Sequence, residues 1–191
     1  MKTSEIKKTL EKLLAEDQKD ISDFKVGVLS SEDLVSRNKK RQQTLERIVC
    51  EVGWPKQKEL EKDACTAAFL IVQHSDDLQF QKKCLKRMRK LSEGEIDKKH
   101  PAYLEDRILV SEGKNQKYGT QFCSEIGKIK LYPIDDQRNV DERREKVGLE
   151  PLDLYVKKIA TSQTHNASHT NGGVDNRGTK WGKIPSPKVQ P

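Results

Sequence analysis

Aromatic residues and long apolar runs are both scarce in this chain. Phe, Trp and Tyr make up 5% of its 191 residues, and hydrophobic residues make up 33%. No apolar run approaches the roughly 20 residues that a membrane-spanning helix requires. The N-terminal sequence MKTSEIKKTLEKL also lacks the apolar segment of a signal peptide. These absences argue against a membrane protein and predict a cytoplasmic one.

Cysteine is sparse too, with four widely spaced residues and no CxxC pair. Cys65 and Cys84 fall among apolar positions of predicted helices, which favours free buried thiols over disulfides. No second histidine lies at metal-ligand spacing from His74. Walker, GxGxxG, GxSxG and HExxH motifs are all absent. The sequence therefore predicts no metal site, and it does not specify a cofactor.

Charge is plentiful but mixed in sign. Charged residues make up 35% of the chain, with a net charge of +7. The one concentrated basic run, Lys82–Lys90, contains no interleaved aromatic residues. We therefore favour a solvated helix face there and regard nucleic-acid binding as the weakest functional class.

Apolar residues recur at helical spacing over the first 107 residues, which predicts a series of helices. They are expected at Ser4–Phe24, from the Ser30-Ser31 cap to the stop at Gly53, at Gln57–Gln73, at Leu78–Leu91 and from about Asp97 to Arg107.

After residue 107 the apolar residues no longer recur at helical spacing. Three short β-like pieces, Ile108–Val110, Lys117–Phe122 and Lys128–Tyr132, predict a small antiparallel sheet or hairpin around residues 108–132. Two helices are expected after it, over residues 140–147 and 151–159. The predicted fold is thus α+β and mainly α, with one domain over residues 1–160. Residues 162–191 are rich in Asn, Gly, Ser, Thr and Pro and are predicted to form a disordered basic tail.

Polar side chains interrupt the apolar stripes of four predicted segments. They are Asp17, Asn38, Arg41, His74 and Arg107. Burying such groups is costly unless they pair with one another. Their pairing around a shared cavity would build a pocket between helices.

Candidate roles follow from residue chemistry. His74, oriented by Asp76 or Asp77, is the candidate general acid or base, and guanidinium groups can hold phosphate or carboxylate. Gln116 and Gln121 can fix a polar edge of a substrate or a developing oxyanion. The predicted catalytic residues are His74, Asp77 and Asp106, and the predicted ligand-binding residues are Arg107, Gln116, Tyr118, Gln121, Gln73 and Arg41.

Each candidate also has a purely structural interpretation. Asp77 would equally well cap the fourth helix. His74 alone is more often a satisfied core histidine than a base. Asp106 and Arg107 would form a structural ion pair closing the fifth helix, and Gly119 would serve only a turn.

A set of ordered motifs resembles the bacterial family catalogued as domain of unknown function 6624. The resemblance covers about Leu10 to Tyr155 and implies a compact, mainly helical domain without implying an activity. It is carried by Asp17-Gln18, Thr44-Leu45 with Ile48, Gly53-Trp54-Pro55, Gln73-His74-Ser75-Asp76, Phe80-Gln81, Tyr103 to Arg107, Gly113 with Gln116 to Gln121, Pro133-Ile134, Asp141 with Arg143-Arg144, and Gly148-Leu149.

Two functional hypotheses remain open. The first is an enzyme, of hydrolase or transferase type, or a small-molecule-binding domain, acting on a polar anionic ligand through a His/Asp/Arg/Gln pocket. The alternative is a non-enzymatic interaction or effector protein, in which the polar cluster is a structural network and the basic tail is a tether or export signal.

Overall fold

The computed structural model describes residues 1–125 and 128–164. These residues contain seven α-helices and one two-stranded antiparallel sheet, which confirms the predicted mainly helical fold with a small β-hairpin. The predicted tail lies, from residue 165 onward, outside the described residues. The chain divides into two compact units, Met1–Leu104 and a second unit that begins at Glu105. A single domain over residues 1–160 stays a prediction.

The first unit is helical, and its third helix packs against the first, second and fourth. The helices are α1 (Thr3–Lys25), α2 (Ser31–Val52), α3 (Gln57–His74), α4 (Leu78–Met88) and the start of α5 (Lys99–Ser111).

Local sequence signals set several of these boundaries. The Ser30 hydroxyl accepts a hydrogen bond from the Asp33 amide at 3.1 Å and caps α2, as predicted. Gly53 ends α2 with a φ of 82°, a left-handed conformation that glycine adopts without strain. The Asp77 carboxylate accepts from the Phe80 amide at 2.9 Å and caps α4.

The core of the first unit is centred on α3, where small side chains allow close helix packing. Cys65 on α3 and Cys84 on α4 are buried free thiols, as predicted. Burial raises the pKa of Cys65 to about 11 and that of Cys84 to about 12, so neither thiol is a nucleophile near neutral pH. The buried side chains of α3 include Leu60, Ala64, Ala67, Ala68, Phe69, Ile71 and Val72.

No helix in the described part of the chain is both long enough and apolar enough to cross a membrane.

The second unit contains the rest of α5, the hairpin and two further helices. Its strands pair antiparallel, with Phe122 opposite Leu131 and Cys123 opposite Lys130. Its elements are β1 (Phe122–Glu125), β2 (Lys128–Leu131), a 3-10 helix (Gln137–Asn139), α6 (Val140–Lys146) and α7 (Leu152–Thr164).

Two of the three predicted β-like pieces were placed wrongly. Residues 108–110 are helical, because Ile108 and Val110 continue the buried face of α5 to Ser111. A short apolar run does not distinguish a strand from a buried turn of helix. Residues 117–121 form a loop, and strand pairing begins at Phe122.

Candidate functional site

A buried carboxylate–imidazole pair joins α1 to α3 in the first unit. The Nδ1 atom of His74 lies 2.9 Å from Oδ1 of Asp17. The Asp17 side chain is 1% exposed and that of His74 is 10% exposed. The structure records no hydrogen bond between the Nε2 atom of His74 and any described residue. Asp17 therefore fixes the imidazole through one nitrogen and leaves the other available.

Two arginines from α2 complete this cluster on the α1 side. Arg41 donates to Asp20 at 2.6 Å and to the Asn38 side-chain oxygen at 2.6 Å. Its Nε atom lies 3.7 Å from Asp17. Arg37 donates to the other Asp20 oxygen at 2.6 Å. Two carboxylates and two guanidinium groups thus balance in charge, which makes the burial of Asp17, Asp20 and Arg41 tolerable.

The position of Asp20 explains its protonation state. Burial raises the pKa of this carboxyl, but the hydrogen bonds and charges of Arg41 and Arg37 outweigh burial and hold it below 3.8. Asp20 is therefore an anion at neutral pH, and it fastens both guanidinium groups to α1.

A second polar network lies where α3 ends and α4 begins. Gln42 donates to the Asp77 carboxylate at 3.2 Å and accepts from the Ser75 hydroxyl at 2.7 Å. The same hydroxyl accepts from the Asp77 amide at 3.0 Å. The Phe80 amide is the main group that lowers the pKa of Asp77. Asp77 is thus a helix cap, and the residue that contacts Nδ1 of His74 is Asp17.

In the second unit, the Asp106 side chain organises the loop of residues 112–121. Its carboxylate is buried, with 0% exposure. It accepts from the backbone amides of Lys117 at 2.7 Å, Tyr118 at 3.1 Å and Thr120 at 3.0 Å, and from the Thr120 hydroxyl at 2.9 Å. Burial raises the pKa of Asp106, and these donors oppose that shift. The carboxylate holds the loop backbone.

The Gln116 side chain is engaged in the same way. It donates to the carbonyl oxygens of Gln121 at 3.0 Å and Tyr132 at 2.8 Å, and accepts from the Gln121 amide at 2.8 Å. Both amide hydrogens of Gln116 are therefore used within the protein. The Gln121 side chain donates to the Thr120 hydroxyl at 3.1 Å.

Two arginines of α6 anchor this loop from the other side. Arg143 donates to the carbonyl oxygens of Lys117 at 2.9 Å and Asp135 at 2.6 Å. Arg144 donates to the carbonyl oxygens of Glu150, at 2.6 Å, and Tyr118. Both cations thus hold backbone segments together.

The predicted site residues fall into both units. His74, Asp77, Gln73 and Arg41 belong to the first unit, and Gln73 is buried on α3. Asp106, Arg107, Gln116, Tyr118 and Gln121 belong to the second unit, where Arg107 is buried and Tyr118 is half-buried. Asp17, Arg41 and His74, which were expected only to pair among the polar stripe residues, are in contact, and Nδ1 of His74 contacts Asp17 where Asp76 or Asp77 was predicted. A common pocket for all nine residues stays a prediction.

Sequence reasoning missed Asp20, Gln42 and Ser75 as members of the first-unit networks. Asp20 carried a signal, because it lies one helical turn from Asp17 on the same face of α1. Gln42 and Ser75 carried none, since their contact joins residues 33 positions apart.

Among the described residues, no group of three or more His, Cys, Asp or Glu side chains is arranged to hold a metal ion.

One open depression lies on the surface of α2. It is lined by Lys40, Gln43, Thr44, Glu46, Arg47 and Cys50. Because all six lining residues come from a single helix, it is a shallow surface feature rather than an enclosed site.

The helical fold and the buried polar clusters define a small, mainly α protein with an Asp–His pair. The chain belongs to a family of unknown function (DUF6624), whose model matches residues 29–165. This confirms the resemblance, although the match begins after Asp17 and extends past Tyr155. No curated protein and no solved structure shows significant similarity to the chain.

Proposed function

We propose that the first unit contains an acid–base site in which His74 transfers a proton to or from a small, polar, anionic ligand. The observation that carries this proposal is the 2.9 Å contact between His74 and the buried Asp17. Reactions of hydrolase or transferase type use a base of this kind.

The division of roles follows from the geometry. A carboxylate only accepts hydrogen bonds, so Asp17 holds the tautomer in which Nδ1 carries the proton and Nε2 is the acceptor. When Nε2 takes a proton from a ligand or a water, the imidazolium gains a neighbouring anion. Asp17 therefore both orients the imidazole ring of His74 and stabilises the positive charge that the ring gains.

Arg41 has a positioning role in this proposal. Its guanidinium group contacts Asp17 and is fastened by Asp20 and Asn38. It thereby fixes the direction of the Asp17 carboxylate. The net charge of +7 supports an anionic ligand through long-range attraction. A cytoplasmic location and a direct ligand contact of Gln73 belong to the same proposal.

The test compares two substitutions in the same cluster. Asp17→Asn removes the charge beside His74, whereas Asp20→Asn removes a charge that contacts only the arginines. Purified variants are assayed with a panel of phosphate and carboxylate esters, and binding of inorganic phosphate and dicarboxylates is measured by thermal shift. We expect Asp17→Asn and His74→Ala to lower the turnover rate by about 100-fold or more, and Asp20→Asn to lower it much less.

Either of two results would contradict the acid–base site. One is the absence of any turnover or ligand shift across the panel in the parent protein. The other is an equal loss of rate in Asp17→Asn and Asp20→Asn, because that would trace the effect to stability of the cluster rather than to the histidine.

A non-enzymatic interaction or effector protein is the second candidate, and the second unit favours it. Asp106 and Gln116 direct their side chains to loop backbone groups. Such a network supports a rigid surface loop. Under this candidate, alanine substitution of His74 leaves every measurable binding property unchanged, while Asp106→Ala destabilises the protein.

A further inference from the structure

The strongest unassigned feature of the first unit is a row of cations on α4. Lys83, Lys86, Arg87 and Lys90 follow the spacing i, i+3, i+4 and i+7, which places them along one side of the helix and the turn that follows it. All four are exposed. We call these four residues the basic stripe.

The basic stripe has no internal counter-charge at contact distance. Among the described residues, none of its four side chains forms an ion pair. Elsewhere exposed lysines pair one helical turn away, as Lys19 does with Asp23 at 2.5 Å and Lys146 with Glu142 at 2.7 Å. The segment from Leu78 to Lys90 contains no acidic residue. Four like charges therefore stand together with no carboxylate in contact among the described residues, although Lys83 lies close enough to Asp77 to contribute to lowering the pKa of that carboxyl.

Helix stability accounts for only part of this arrangement. Cations in the last turn, such as Lys86 and Arg87, interact favourably with the helix dipole. Lys83 lies outside that turn, and Lys90 lies beyond the helix. Like charges at i, i+4 spacing disfavour a helix. The helix dipole therefore does not account for the whole row.

The residues beside the basic stripe on α4 indicate which kind of polyanionic partner fits it. Of the apolar residues of α4, Phe80, Cys84, Leu85 and Met88 are buried and Leu78 is half-buried. A helix that binds a membrane interface usually inserts exposed apolar side chains beside its cations, and this face has none. It also has no aromatic residue to stack on unpaired bases. With membrane interfaces and unpaired bases disfavoured, the partner that fits this row of cations is a rigid array of phosphates.

We propose that the basic stripe binds the phosphate backbone of double-stranded nucleic acid without reading its sequence. From Lys83 to Lys90 the helix and the turn that follows it rise about 10 Å. Each strand of a duplex carries one phosphate per about 3.4 Å of axis, so the stripe matches about three phosphates of one strand. This inference revises the expectation of a merely solvated face, and it is independent of the acid–base site.

The experiment uses the full chain and measures binding to a short fluorescein-labelled DNA duplex by fluorescence anisotropy over roughly 50–200 mM salt. The test variant changes all four stripe residues to Gln. The matched control changes four exposed lysines of α1 and α2 to Gln: Lys8, Lys25, Lys39 and Lys40. Each variant lowers the formal net charge from +7 to +3, so overall charge is held equal between them.

We expect the stripe variant to bind at least about tenfold more weakly and to reduce the slope of log affinity against log salt by about three. We expect the control variant to retain most of the affinity. A third variant, with Lys83, Lys86 and Lys90 changed to Arg, should bind like the parent. Thermal melts check that all variants fold.

Three results would overturn the proposal. The first is the absence of duplex binding by the parent protein. The second is an equal loss of affinity in the stripe and control variants, which would indicate a net-charge effect. The third is stripe-dependent binding to vesicles of phosphatidylserine and phosphatidylcholine in the absence of duplex binding, which would assign the surface to anionic lipid.

Discussion

Gly119 offers a quantitative test of how tightly the loop of residues 112–121 is packed. Its φ is 68°, and a Cβ atom added there would lie 2.8 Å from Cδ1 of Leu152 and 2.9 Å from Cδ1 of Ile134. Gly113, in the same loop, has a φ of 72° and no heavy atom within 4 Å of such a Cβ. The two glycines thus share the backbone conformation and differ in the space around them.

These geometries predict different costs for the same substitution. The left-handed conformation disfavours alanine by about 1 kcal/mol at either position. At Gly119 the two side-chain ends must also move, which adds about 1–2 kcal/mol. We expect Gly119→Ala to lower the free energy of unfolding by about 2–3 kcal/mol and Gly113→Ala to lower it by about 1 kcal/mol.

Urea denaturation followed by far-ultraviolet circular dichroism measures both values. Ile134→Val removes one of the two clashing atoms, so the double variant Gly119→Ala/Ile134→Val should be more stable than the sum of its single substitutions implies. Equal destabilisation by Gly119→Ala and Gly113→Ala would refute the packing argument. So would strict additivity in the double variant.

Three further substitutions test buried polar groups. Asp106→Asn should lower the free energy of unfolding by about 2–4 kcal/mol, because a charged acceptor of several hydrogen bonds is lost; an effect below that of the exposed control Asp135→Asn would contradict this. Burial lowers the pKa of His100 from 6.5 to about 4. As pH falls, the unfolded chain therefore binds a proton at this histidine before the folded protein does. The free energy of unfolding should fall by about 3 kcal/mol between about pH 6.5 and pH 4. His100→Phe, which keeps a ring against Phe69, should flatten the pH profile measured by urea denaturation in that window, and an unchanged profile would count against the assignment. Arg144→Lys should lower the melting temperature, since one ammonium group cannot bridge the carbonyl oxygens of Tyr118 and Glu150 as a guanidinium group does; an unchanged melting temperature would show that the bridge is dispensable.

The helices could be read from the sequence because their signals are local. The helical spacing of apolar residues, together with N-caps such as Ser30, predicted the ends of α1 to α4 to within a few residues. The segment Ile108–Val110 was misassigned because three apolar residues fit both a strand and a buried helical turn. Only the packing of α5 decides between these structures.

The candidate site was less accessible to sequence reasoning. The apolar stripes correctly marked Asp17 and Arg41 as buried polar residues that must pair. They could not identify Asp17 as the partner of His74, since that contact depends on how α1 packs on α3. Gln116 was predicted to bind a ligand because its side-chain amide can donate and accept hydrogen bonds. In the structure, the path of the loop directs that amide to backbone carbonyl groups. Residue type alone does not distinguish a glutamine that binds a ligand from one that holds the loop backbone.

The span of these contacts along the chain has a consequence for folding kinetics. The hydrogen bonds of Asp106 close segments of only 11 to 14 residues, whereas the Asp17–His74 contact closes one of 57 residues. Loop-closure entropy makes the longer contact costlier by about 1.4 kcal/mol before any packing offsets it. The loop held by Asp106 should therefore form early, and the Asp17–His74 pair should assemble only when α1 docks on α3. A folding intermediate would already contain the ordered loop and would still lack the proposed acid–base pair.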